Sequence, residues 1–160
     1  MPHLPPSWAE HLDTGVSNRL AACDVTGRPE ICRALASRQR ADGRIDVLLA
    51  ADVGQHVIAA VQATQRVAHV TAHPGTSRTL HLKGRDAEVV PAEPDHMELL
   101  VRCRQRFGAA LEPYGYDDEA LRRVVYDVDL ALLRCVRFTP FGAWDATPGI
   151  GAGAAIELLA

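Results

Sequence analysis

Arg33, Arg38 and Arg78 are the side chains best suited to chemistry with an anion. A guanidinium offers a planar fork of donors that matches the oxygens of a phosphate or carboxylate, which an ammonium does not. Arg33 and Arg38 fall on one extended segment and just beyond it, and Arg78 falls on another. In a closed sheet, neighbouring strands can bring such groups to one spot. The competing reading is three solvated charges on strand edges. Lys83 is the single lysine among 17 basic residues and lies within the strand-like stretch HPGTSRTLHLKGRDAEV. Either it faces a ligand beside Gly84, where that strand is expected to bend, or it is a plain surface residue.

His69, His73 and His81 form a second set. Residues 69, 71 and 73 share a strand face, and neutral imidazoles suit a transition metal or haem iron. No acidic ligand accompanies them, so no metal site is expected, and histidines at a strand end or interface are the other reading. TPGIGAGAA, at 147 to 155, has the glycines of a nucleotide loop without the strand before it or the helix after it, and is read as a flexible tail or docking arm. The four cysteines form no C-x-x-C pair and are expected as reduced core residues.

These groups must be positioned by one domain, 1–160, whose 48% hydrophobic content suffices for a core. A formal net charge of -3 gives no bias toward polyanions, so nucleic acid is not an expected partner. No apolar run approaches the ~20 residues of a membrane helix. MPHLPPSWAEHL lacks the basic start of a secretory signal, so a cytoplasmic protein is expected.

A helix is expected over 6–14, capped by Ser7 and ended by Gly15. Hairpin turns at Thr26-Gly27 and Asp42-Gly43 separate strands at about 18–24, 29–39 and 44–51. A short helix follows, then a strand over QRVAHVTAH and a long one over TSRTLHLKGRDAEVVPA. Helices at 94–110 and 117–126 precede a last strand region interrupted at Pro140. Six strands joined mostly by hairpins must pair antiparallel. The expected class is α+β: a six-stranded antiparallel split β-barrel of Greek-key type with peripheral helices, the barrel spanning about 17–92 and 129–146.

The runs GRPEICRA, GRIDVLLAADVGQHVIAAVQATQRVAHV and SRTLHLKGRDAEV together resemble the pyridoxamine 5′-phosphate oxidase-like split-barrel flavoproteins. The likeness lies in the order and spacing of motifs over roughly residues 15–92. It implies a homodimer that holds flavin mononucleotide (FMN) between subunits and acts as an oxidoreductase on a small molecule. By the same resemblance, Arg33 and Arg38 correspond to phosphate-gripping cations, and Leu48 and Leu49 to backbone contacts with the flavin ring. Ser77, Arg78 and Thr79 correspond to positions beside the ring and ribityl chain. At the helix start, Gln55 and His56 stand where many relatives have Ser-Arg-Lys, and Asp52 just before them opposes an anion. The C-terminal Arg and His segment of the true oxidase is absent, so vitamin B6 oxidation is not implied. A deazaflavin, haem, or a split barrel without cofactor remain the alternatives.

Overall fold

Three long extended segments each split into two strands that belong to different sheets, at Leu35, at residues 85–87 and at Thr139. In the computed structural model, which describes residues 1–117, 119, 128 and 130–160, this is how the barrel closes. One sheet holds β1 (Ser17–Cys23), β2 (Pro29–Ala34), β5 (Val67–Ala72), β6 (Thr79–Gly84), β9 (Pro140–Asp145) and β10 (Ala154–Ile156), in the order β10-β9-β6-β5-β1-β2. The other holds β3 (Ala36–Gln39), β4 (Ile45–Ala50), β7 (Glu88–Pro91) and β8 (Leu133–Phe138), in the order β3-β4-β8-β7. All the pairings are antiparallel. Counted as continuous strands, β1, β2/β3, β4, β5, β6/β7 and β8/β9 are the six expected from the sequence, with β10 added.

Alternation sets the faces. On β1, Asn18, Leu20 and Ala22 are buried while Ser17, Arg19, Ala21 and Cys23 are not. On β5, Val67, His69 and Thr71 point in. Every residue of β4 is buried, as befits a strand between two others and covered on both faces. The interior holds Leu20, Leu80, Leu82, Val47 and Phe138, closed at one side by α2 (Gln55–Thr64) through Val57, Ala60 and Val61. The outer face of the four-stranded sheet is covered by α3 (Pro94–Leu111), whose Leu99, Leu100 and Cys103 meet Leu48, Leu133 and Cys135. A bulge falls between Lys83 and Gly84, as the glycine predicts. A Cβ on Gly84 would come within 2.5 Å of the buried Phe138 ring.

α1 (Pro6–His11) is shorter than expected and starts from Pro5, with no side-chain cap from Ser7. Its exit turn uses Gly15 at φ +82°, where a Cβ would lie 2.4 Å from the Arg106 carbonyl of α3. Gly15→Ala is therefore expected to cost about 2 kcal/mol or more, from the left-handed backbone plus the push against α3. The chemical-denaturation midpoint of the variant checks this.

Other departures have local causes. Pro140 sits inside β9 opposite Gly84, so the strand break falls one residue earlier, at Thr139. The glycine-rich segment is not a flexible tail: Gly149, Gly151 and Gly153 supply positive φ for a turn that returns β10 onto β9. Leu159 then bridges to His3. All but residues 117 and 119 of the expected helix at 117–126 lie outside the described residues.

Candidate functional site

The strongest charged cluster surrounds Asp46, a buried carboxylate on β4. Arg137 on β8 donates to it at 2.7 Å, Arg40 at 3.0 Å and Arg38 at 3.1 Å. His96 accepts from the Glu93 N–H through Nδ1, so its Nε2–H faces Asp46 at 3.1 Å. Glu93 and His96 also form the capping box of α3, and Glu93 accepts from Arg137 at 2.7 Å. Burial alone would raise the Asp46 pKa. Hydrogen bonds from Arg137, His96 and Arg40 outweigh it and hold the carboxyl well below the usual range. Cys135 and His96 approach the same carboxylate, but three guanidiniums already occupy its oxygens, a poor environment for a cation. The cluster ties β3, β4, β8 and α3 together, with Asp46 taking donors from all of the arginines and from His96. Its signal in the sequence was a lone Asp inside the apolar run RIDVLLA.

The outer face of the six-stranded sheet is built differently. Register places Arg33, Arg19, Val70, His81 and Trp144 side by side across five strands. The next outward row is Ile31, Ala21, Ala68, Lys83 and Gly142. Small residues thus make a flat floor between cations. Arg19 donates to Ser17 Oγ and the Asn18 carbonyl, and its own pKa is lowered by burial and by Arg33 beside it. Lys83 lies 5.1 Å from the Trp144 ring centre, and Arg85 lies 4.1 Å from that of Phe141. Among the described residues no carboxylate lies within ion-pair distance of Arg19, Arg33, Arg66, Lys83 or Arg85. Around the four-stranded sheet, by contrast, Arg38, Arg40, Arg44 and Arg137 all meet carboxylates. A groove of about 720 Å³ opens on this face, lined by Ala21, Ala68, Lys83, Arg85, Phe141 and Trp144 among others.

Of the residues singled out by sequence, Arg33 and Thr79 lie on this face. Arg38 does not; it is engaged by Asp46 and by Asp95 at 2.7 Å. Arg78 stacks 4.0 Å from the ring centre of Trp8, next to the exposed Ser77. The three guanidiniums therefore occupy three separate environments within one chain. Leu48 and Leu49 are fully buried, and Leu48 sits between Ala36 of β3 and Cys135 of β8, on a strand with no open edge. Gln55 and His56 are exposed at the start of α2, after Asp52, whose carboxylate accepts from the Val53 N–H. Arg19 was missed, although the Thr26-Gly27 turn fixes the register that sets it opposite Arg33.

The histidines separate as well. His69 is fully buried and donates to Asn18 Oδ1 at 3.1 Å, an oxygen that Ser37 also uses. His81 faces outward beside Trp144, with ring centres 5.6 Å apart, and His73 lies in the turn before β6. Burial pushes His69 down to about 3, and burial with the charge of Arg78 pushes His11 down to about 4. Both are neutral in the folded chain, whereas unfolding lets each take a proton below about 6.5. Stability is thus complete above that pH and falls as pH drops toward 4, with His69 contributing a slope of about 1.4 kcal/mol per pH unit. Urea midpoints measured from pH 8 to pH 4 check this, and a flat profile would contradict it.

No protein-family model matches the chain, and no curated protein matches it. Solved structures do. HupZ of Group A Streptococcus superposes with a TM-score of 0.55 at 11% identity, covering 94% of this chain and 100% of that one. An F420 reductase gives 0.55 at 14% identity, over 88% and 98%. HutZ of Vibrio cholerae, a haem storage protein, gives 0.51 at 18% identity, over 89% and 94%. The chain shares the split-barrel fold of these proteins. This split barrel shares its fold with proteins of differing ligands, so its own residues must decide what it binds. In the described residues, no helix is long and apolar enough to cross a membrane.

Proposed function

We propose that this split barrel binds a phosphorylated flavin, FMN or a deazaflavin, on the outer face of its six-stranded sheet. There it serves as an oxidoreductase for a small molecule. The observation that supports the reading is the grouping of charge: on this face several cations that meet no carboxylate among the described residues flank a flat floor. Paired arginines directly opposite each other repel, and an anion between them relieves both. Arg19 and Arg33 fit a phosphate ester in that way. Val70, beside Arg19 in register, is low enough for a planar ring to lie against it.

When bound, the flavin supplies hydride or single-electron transfer. The chain's residues bind and orient it. Ile31 and Phe141, 69% and 46% exposed on the same face, suit burial against a second copy, which would roof the groove and exclude water. The homodimer is part of the proposal, and light scattering at micromolar concentration checks it: a monomer would count against this part.

The visible spectrum of the purified protein, with FMN titration of the apoprotein, tests the reading. A flavin spectrum or saturable binding of added FMN is expected. A colourless protein that ignores FMN leaves a cofactor-free scaffold. A Soret band on haem titration without FMN binding would assign the face to haem, with His81 the one of the three histidines on that face.

A further inference from the structure

We infer that the far end of the groove selects its second ligand, the substrate, as an organic anion with a flat apolar body. Only the word substrate rests on the flavin reading; the anion site stands on its own residues. Lys83, Arg85 and Arg66 converge on the groove from β6, the bend after it and the residue before β5. All three are exposed. In a chain with 20 acidic residues, none of the three meets a carboxylate among the described residues. Two of them rest on aromatic faces instead, Lys83 over Trp144 and Arg85 over Phe141. A cation held over a ring keeps its position while its donors remain free. Trp144 and Phe141 then offer the flat apolar surface, and Ala21 and Ala68 the floor beneath. Arg19 and Arg33 do not line this groove. The face thus carries two anion-binding ends, a pair of opposed guanidiniums at one and aromatic-backed cations at the other. A carboxylate or phosphate ester on an aromatic or otherwise flat body matches the second end; a neutral molecule of the same shape would leave the cations unanswered.

The test uses 2-naphthoate and its neutral isostere 2-naphthamide as probes of the full-length protein, with binding followed by calorimetry. Naphthoate is expected to bind roughly tenfold more tightly than the amide, the worth of one charge-assisted hydrogen bond. Lys83→Gln and Arg85→Gln should each remove most of that preference while leaving the amide within about twofold. Both side chains are exposed, so folding is not at stake, and circular dichroism verifies it. Arg19→Gln should leave naphthoate binding within about twofold. Equal affinity for acid and amide, no binding of either, or an unchanged preference in both groove variants would overturn the inference. So would Arg19→Gln weakening naphthoate as much as Arg85→Gln. Failure of the flavin reading shows separately, as wild-type protein that binds naphthoate and not FMN.

Discussion

Replacing Asp46 with alanine is expected to destabilise the protein by about 3–5 kcal/mol, the cost of removing one partner of a buried ion pair. The carboxylate is inaccessible to solvent and receives hydrogen bonds from Arg137, Arg40, Arg38 and His96. Without it, Arg137 keeps only Glu93, and three positive groups face one another around a cavity. The midpoint of thermal unfolding should fall by roughly 10 °C for a chain of this size. Asp95→Ala is the control. Its side chain is 52% exposed and pairs with Arg38 at the surface, so the change should stay below about 1 kcal/mol. Equal losses for the two variants would mean that the cluster is not the tie between α3 and the sheet described above.

The double variant Arg19→Gln, Arg33→Gln should lower FMN affinity by about 100-fold, since each guanidinium contributes a charge-assisted bond worth roughly a factor of ten. Riboflavin, which lacks the phosphate, should bind the variant and the wild type alike. The apoprotein should be as stable as wild type or slightly more so, because two like charges in register have been removed. That combination, weaker ligand binding with no loss of stability, separates a binding role from a structural one. Loss of riboflavin binding together with FMN would point instead to damage of the sheet.

Much of this architecture was legible in the sequence because local signals carried it. Alternation gave the strands, Thr26-Gly27 and Asp42-Gly43 gave two hairpins, and Gly84 gave the bulge. The break at Leu35 was hidden because it is neither glycine nor proline, while the one at Thr139 showed as an interruption one residue on, at Pro140; both arise where a strand bends from one sheet to the other. Partners far apart in the chain were hidden too. Arg38 looked like a ligand's cation because the sequence displays a charge without its counterion; Asp95 and Asp46 reach it only through the fold. The groove residues were visible as types, Lys83 above all, while the absence of carboxylates around them is a property of the folded surface.

The most direct test of the central claim, that the uncompensated cations of the six-stranded sheet hold a phosphorylated flavin, is titration of the wild-type apoprotein with FMN and riboflavin side by side at low and high salt. Saturable FMN binding at least tenfold tighter than riboflavin is predicted, with the advantage shrinking as salt screens the exposed guanidiniums. Equal binding of the two flavins at both salt concentrations, or binding of neither, would contradict it.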